Sequence, residues 1–246
     1  MRKEWFVDWF DSVYYHTLYK NHDENEAIKA MDNLLRALDL APGARILDLA
    51  CGKGRHSRYL AEKGFDVTGL DISTASIDYA RQFEHDHLSF YQHDMRLPFR
   101  SNYFDAVMNM FTSFGYFNSE RDHLLSLENV RKNLKPGGLF LLDFFNSEWV
   151  RKHLVRAETK TVDGIEFRLK RYIRDGYVYK QVAFRAGEKQ YWFRERVRLF
   201  SPADFKRLFS AAGLELTRLY GGYDLSDFDA VGSKRLILIA QKTRSI

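Results

Sequence analysis

The sequence predicts an α/β protein, a doubly wound and mostly parallel sheet with an antiparallel β-meander insertion after its fifth strand. Three observations carry that expectation. Short apolar runs alternate with amphipathic stretches over residues 45–145, the pattern of buried parallel strands covered by helices on both faces. The stretch "ILDLACGKGRHSRYLAEKGFDVTGLDIS", from Ile46 to Ser73, runs strand, glycine turn, helix, strand and acid, the outline of a nucleotide site. Over residues 165–200 the period switches to two, which marks antiparallel strands.

Each element has its own signal. Residues 4–20 pair Trp5 with Trp9 and Phe6 with Phe10, followed by Tyr14, Tyr15 and Tyr19; this spacing predicts a helix. A second helix is expected over residues 24–40, stopped at "APG". Strands are expected over 45–49, 66–70, 88–92, 104–110 and 138–145, with helices over 54–63, 73–83 and 120–134. Asp175-Gly176 and Ala186-Gly187 are turn signals that divide the insertion into a three-stranded meander. Ser201 and Pro202 open a helix at "SPADF". Final strands over 214–220 and 235–241 bring the sheet to seven. Residues 1–40 then read as an N-terminal helical lid, 41–150 and 201–246 as the nucleotide-type domain, and 151–200 as the insertion.

Composition excludes several classes. The 246 residues are 45% hydrophobic and 29% charged, typical of a globular chain rather than a disordered one. Cys51 is the single cysteine, so no internal disulfide framework exists. No apolar run reaches the roughly 18 residues of a membrane span, and residues 1–20 lack the apolar centre of a signal peptide. A cytoplasmic location is expected. Eight histidines offer no metal-ligand cluster, and "EHDH" at 84–87 reads as a solvated loop, so no metal is expected. The net charge of +5 is local: ten Lys or Arg face four Asp or Glu within residues 165–200.

In the turn "DLACGKG", Gly52 and Gly54 allow close approach of backbone to a ligand at the sheet's carboxyl edge. A dinucleotide fingerprint would need a third glycine where Ser57 stands, and Asp48 would repel phosphate. A carboxylate there suits a ligand bearing an ammonium and a sulfonium. Asp71, ending the next strand, is placed to accept from both ribose hydroxyls.

At this point the chain resembles the class I methyltransferases that use S-adenosylmethionine. "LDLACGKG" is similar to their first motif, "VTGLDIS" to the acidic second, and "HDMRLPF" to the segment that meets the adenine amine. "FDAVMNMFTSFGYF" resembles the fourth strand and its loop, and "LKPGGLFLLDFF" the turn into the fifth strand. The resemblance implies a Rossmann-like seven-stranded sheet whose last strand is antiparallel. It also implies that Asp48, Ala50, Gly52 and Gly54 hold the methionine moiety, Asp71 the ribose, and Ile72 the adenine face. Asp94 and Met95 would read the adenine edge, and Met110 would line the floor.

The loop "NMFTSF" departs from the Asn/Asp-Pro-Pro-aromatic signature of enzymes that methylate nucleobase or glutamine amines. The insertion looks most like that of bacterial small-molecule N-methyltransferases, including those that finish nucleotide-linked amino sugars. That likeness implies a small-molecule acceptor, an amine or a hydroxyl, and an insertion that forms the acceptor pocket or a homodimer contact. Base candidates on the loops and N-terminal segment are Tyr116, Asp143, Asn146, Tyr14, Tyr15 and His16; Tyr15 and Tyr116 are the two expected to cap the site. Arg168, Lys170 and Arg174, with Arg194, Arg196 and Arg198, alternate along two strands and are expected to share one face able to meet a diphosphate. RNA is the competing acceptor, stacked on the interleaved tyrosines, and a non-catalytic cofactor-binding protein is the third reading. The acids Glu4, Asp8 and Asp11 set the N-terminal aromatics against membrane binding.

Overall fold

The structure, a computed structural model, describes residues 4–20 and 24–243. Two short helices, α1 (Trp5–Phe10) and α2 (Val13–Leu18), precede α3 (Glu24–Leu38). The chain then alternates through β1 (Arg45–Leu49), α4 (Arg55–Glu62), β2 (Asp66–Asp71), α5 (Thr74–Ala80), β3 (Leu88–Gln92), β4 (Phe104–Asn109), α6 (Glu120–Asn133) and β5 (Leu134–Phe145). After α7 (Ser147–His153) come β6 (Ala157–Val162), β7 (Ile165–Arg174), β8 (Tyr177–Ala186) and β9 (Lys189–Arg198). The chain closes with α8 (Pro202–Ala212), β10 (Leu214–Tyr220) and β11 (Arg235–Lys242).

The seven-stranded sheet has the order β10-β11-β5-β4-β1-β2-β3. β1 to β5 run parallel, and β11 is antiparallel to both β5 and β10. Strand order therefore reverses between β1 and β4, so the loops after these two strands diverge and leave a crevice at their carboxyl ends. Met31 and Leu34 of α3, Leu60 of α4 and Ile77 of α5 are buried on one face. Leu127 and Val130 of α6, with Phe205 and Phe209 of α8, are buried on the other.

The insertion forms its own four-stranded antiparallel sheet, β6-β7-β8-β9, separate from the main one. Its inner face carries a third core, in which Trp9 and Leu18 pack against Phe167, Leu169, Val182 and Phe184. The N-terminal helices thus roof the insertion as well as the main sheet.

Three local expectations change. Residues 4–20 form two helices because the chain turns at Asp11 and Ser12. Ser12 caps α2 by accepting from the Tyr14 N–H (3.2 Å), while the Asp11 carboxylate leaves its own helix to accept from Ser73 Oγ and the Ala75 N–H, both at 2.9 Å. The meander has four strands, because Asp163 (φ 47°) and Gly164 (φ 77°) turn β6 back onto β7. The helix α7, unanticipated, starts where Asn146 accepts from the Glu148 N–H.

Trp9 is 1% exposed, lies 4.4 Å from the Phe193 ring, and donates its indole N–H to Glu195 at 2.8 Å. Trp9→Ala removes the largest side chain of this third core and one hydrogen bond. It should cost about 3–5 kcal/mol of local docking energy and open the segment before α3 to protease. Limited proteolysis of both proteins checks this; equal cleavage rates would mean that the roof is held elsewhere.

Candidate active site

The turn after β1 is fixed by backbone. Ala50 takes a left-handed conformation (φ 66°), and the Ala50 and Cys51 N–H groups both donate to the Leu70 carbonyl, at 2.7 and 3.0 Å. Gly54 (φ 77°) cannot be replaced cheaply, since a Cβ would lie 2.5 Å from the Phe90 ring. Gly52 (φ 55°) differs: a Cβ there would meet nothing within 4 Å, so the turn faces open space on its ligand side. Cys51 is buried, and burial pushes its thiol well above the ordinary value. It is no nucleophile.

Asp48 is 2% exposed and accepts from Ser57 Oγ at 2.6 Å. Among the described residues no cationic side chain pairs with it, and burial raises its pKa to about 6. Asp71, at the end of β2, accepts from the Gly52 N–H at one oxygen and the Ser73 N–H at the other, each at 2.8 Å. Each oxygen keeps a second lone pair for a ligand hydroxyl. Burial again raises the carboxyl, and the nearby Asp11 carboxylate adds to the rise. Two desolvated acids at neighbouring strand ends, neither paired with a cationic side chain among the described residues, fit a cationic ligand with vicinal hydroxyls.

The other residues expected around the cofactor lie along the same edge with differing freedom. Ile72 and Met95 are half-buried, and Met110, just past the end of β4, is 5% exposed. Asp94 is gripped by Arg96, whose Nε and Nη2 donate to it at 3.1 and 2.6 Å. Arg96 also pairs with Glu4 at 2.7 Å, which ties the N-terminal segment to this loop. Asp94 therefore serves the turn before Pro98, with its lone pairs shared.

The expected lid residues come together. The Phe10 ring lies 5.1 Å from Tyr15 and 5.3 Å from Tyr116. The Trp5 ring is 5.7 Å from Tyr116, and the Trp5 indole N–H is buried without a partner among the described residues. Tyr116 donates to the Thr112 carbonyl at 2.7 Å. Burial, then the carboxylates of Glu195 and Asp71, push the Tyr15 phenol upward; burial dominates for Tyr116 too. Neither phenol is a base at neutral pH.

Four other base candidates have different work. Asp143, 0% exposed, accepts from Arg235, from Tyr223 (2.7 Å) and from the Phe111 N–H (2.8 Å). It thereby anchors a loop in which Phe111 (φ 56°) and Thr112 (φ 64°) are both left-handed. Asn146 donates to the Ala230 and Ser233 carbonyls. Tyr14 packs in tilted ring contacts against Phe184 (4.6 Å) and Tyr191 (4.7 Å). His16, pushed down to about 4 by burial, is neutral beside Ser76.

Sequence reasoning missed Glu195, which faces Trp9, Tyr19 and Lys180 beneath the N-terminal helices. The cross-strand register does place Arg168, Lys170, Arg174, Arg194, Arg196 and Arg198 on one face, alongside Tyr172, Tyr177 and Tyr179. That face is opposite the one bearing Glu195 and the lid contacts, so a diphosphate on it would lie across the insertion from Tyr15.

Residues 46–138 match the family model described as a methyltransferase domain. The chain is 28% identical over 221 residues to a dTDP-3-amino-3,4,6-trideoxy-α-D-glucopyranose N,N-dimethyltransferase of Streptomyces venezuelae, covering 85% of this chain and 91% of that one. Among solved structures, the CcbJ methyltransferase of Streptomyces caelestis superposes with a TM-score of 0.79 at 18% identity, over 97% of this chain and 99% of the other. A SAM-bound amino pentose methyltransferase from Micromonospora echinaspora gives 0.70 at 20% identity, over 94% and 97%. The fold and its carboxyl-edge turn are those of the Rossmann-like methyltransferases. The chain is an S-adenosylmethionine-dependent methyltransferase.

If Asp48 meets the cofactor's positive end, affinity for S-adenosylmethionine should rise with pH up to about 6, the free carboxyl's value, and then level off. Asp48→Asn should weaken binding about tenfold at neutral pH and flatten that rise. Calorimetry between pH 5 and 7.5 checks both; an unchanged slope in the variant would take Asp48 out of the binding account.

Proposed function

We propose that this chain transfers the methyl group of S-adenosylmethionine to the amine of a small, nucleotide-linked amino sugar. The observation that carries the reading is Asp48, a buried carboxylate without a cationic side-chain partner among the described residues, one strand from Asp71. The acceptor follows from similarity to an amino-sugar N,N-dimethyltransferase across nine-tenths of that enzyme's length. No described helix is long and apolar enough to cross a membrane, and the proposed setting is cytoplasmic.

S-adenosylmethionine supplies an electrophilic methyl on a sulfonium, so the protein's share is placement and exclusion of water. Asp48, with the backbone of Ala50, Gly52 and Gly54, would hold the methionine end. Asp71 would accept from the ribose hydroxyls through its spare lone pairs, while Ile72 and Met110 pack on the base and Asp94 and Met95 meet its edge. Residues 1–40 act as the lid over the catalytic domain of 41–150 and 201–246, and 151–200 supply the far wall of the acceptor pocket. Tyr15 and Tyr116 orient the acceptor rather than deprotonate it, because both phenols stay protonated at neutral pH.

The outer face of the insertion supports two further partners. Its arginines, the stacked pair Tyr172–Tyr179 (4.9 Å) and the 57%-exposed Trp192 would suit a homodimer contact or an RNA strand. Retention on RNA that dissolves with salt would favour the second.

Purified protein incubated with dTDP-linked 3-amino sugars should form S-adenosylhomocysteine only when the sugar is present. Turnover with RNA and none with any amine would overturn the proposal. Asp71→Ala should weaken S-adenosylmethionine by roughly 1.5–3 kcal/mol in calorimetry, and equal affinity would remove its ribose role. Tyr15→Phe should lower turnover modestly, whereas deleting residues 1–19 should cripple it. A truncated enzyme that folds and works at the full rate would reduce the lid to packing.

A further inference from the structure

We propose that Glu195 is the residue that recognises the acceptor's amine, offering its free carboxylate oxygen to the amine N–H from the insertion side of the pocket. The inference rests on the amine reading above and adds the group that selects it.

Glu195 sits on β9 directly across from Lys180 of β8, on the inner face of the insertion. Its contacts with the described side chains converge on one oxygen. Oε1 accepts from the Trp9 indole N–H and the Tyr19 hydroxyl, both at 2.8 Å, and lies 3.5 Å from Lys180 Nζ. Lys180 Nζ also donates to the Tyr19 hydroxyl. Among the described residues nothing hydrogen-bonds Oε2. The side chain is 16% exposed, so this oxygen belongs to a largely desolvated carboxylate, where a charge-assisted hydrogen bond is stronger than in water.

Its position relative to the cofactor site comes from the two tyrosines. Tyr15 and Tyr116 feel the carboxylates of both Glu195 and Asp71, so their rings stand near the acid that ends β2 and near the acid of the insertion. Tyr15 also lies 5.6 Å from Trp9, the residue bonded to Glu195, and Tyr116 shares Phe10 with it. An acceptor lying against these rings has the cofactor's edge on one side and Glu195 on the other. A hydroxyl acceptor would gain only a hydrogen bond from that carboxylate, whereas an ammonium gains a charge pair as well.

The same charge sets a pH rule. A carboxylate beside an amine favours the protonated form, so Glu195 binds the ammonium and raises its pKa. The proton must leave to solvent before the nitrogen lone pair can form the new N–C bond. As that bond forms, the S–C bond breaks and its electron pair stays on sulfur. The methylated product is again a cation, held by the same oxygen.

Glu195→Gln keeps an oxygen acceptor for Trp9 and Tyr19 while removing the charge. With a dTDP-linked 3-amino-3,6-dideoxy sugar and a panel of primary and secondary amines as probes, KM for a turned-over amine should rise about tenfold or more. The acid limb of the kcat–pH profile should move to lower pH by about one unit, which a packing role would not produce. Calorimetric affinity for S-adenosylmethionine should stay within about twofold of wild type. Lys180→Met, which leaves Glu195 less neutralised, should move the acid limb the other way and decides the question if the glutamine variant does not fold. Amine turnover by wild type with KM and pH limb unaltered in both variants overturns this inference alone. No amine turnover by wild type overturns it together with the function it rests on.

Discussion

The turn after β1 is the constraint on which the rest of the site depends. Its conformation is held by two N–H groups that converge on the Leu70 carbonyl and by the Gly52 N–H on Asp71. These bonds tie β1 to β2 just beyond their last paired residues, Leu49 and Leu70. They hold Asp48 at the root of the turn, where Ser57 from the following helix is its hydrogen-bond donor. A carboxylate so buried would ordinarily be paired or neutral. At a pKa of about 6 it is mostly charged at neutral pH, and it carries a charge that no cationic side chain among the described residues pairs with and that a positive ligand would relieve.

The N-terminal segment extends this arrangement of charge. Three of its acid-centred contacts are Glu4 on Arg96, Asp11 on Ser73 and the Ala75 N–H, and Glu195 on Trp9 and Tyr19. The middle one caps α5 from outside its own helix and sets the Asp11 carboxylate near Asp71. Like charges at this spacing repel, so aromatic packing must offset the repulsion. The ring contacts of Trp5, Phe6, Trp9 and Phe10 supply it. Roof and cofactor edge therefore share one electrostatic environment.

Much of this was legible in the sequence because it depends on local pattern. The strand runs, the glycine turn and the acid ending β2 are set by periodicity and by backbone needs that only certain residues meet. What escaped depends on partners distant along the chain. β6, with its alternating exposure broken (Ala157–Val162), gave no apolar period, although Asp163-Gly164 is the same turn signal that was read at Asp175-Gly176. The break at Asp11 arises from Ser73, 62 residues away. Asp143 read as a base because it ends β5; Arg235 and Tyr223, which occupy it, come from the far end of the chain. Glu195 was hidden in a strand noted for its arginines: alternation along the strand puts it on the face opposite Arg194 and Arg196, but only the pairing with Lys180 and the contacts of Trp9 and Tyr19 show what that face meets.

The two halves of the site are consequently built from different material. The proposed cofactor half is contiguous: Asp48 to Met110 falls within the 46–138 segment that matches the methyltransferase family model, and its turn is fixed by backbone hydrogen bonds. The proposed acceptor half draws on side chains of residues 5–19, 114–117 and 180–195, of which only the loop lies inside that segment. Backbone geometry tolerates many substitutions that keep the turn. A pocket made of side chains changes its ligand with each one. On the proposed reading, selectivity for the acceptor is written mostly outside the shared segment, in the aromatic roof and in the single carboxylate of β9 that faces it.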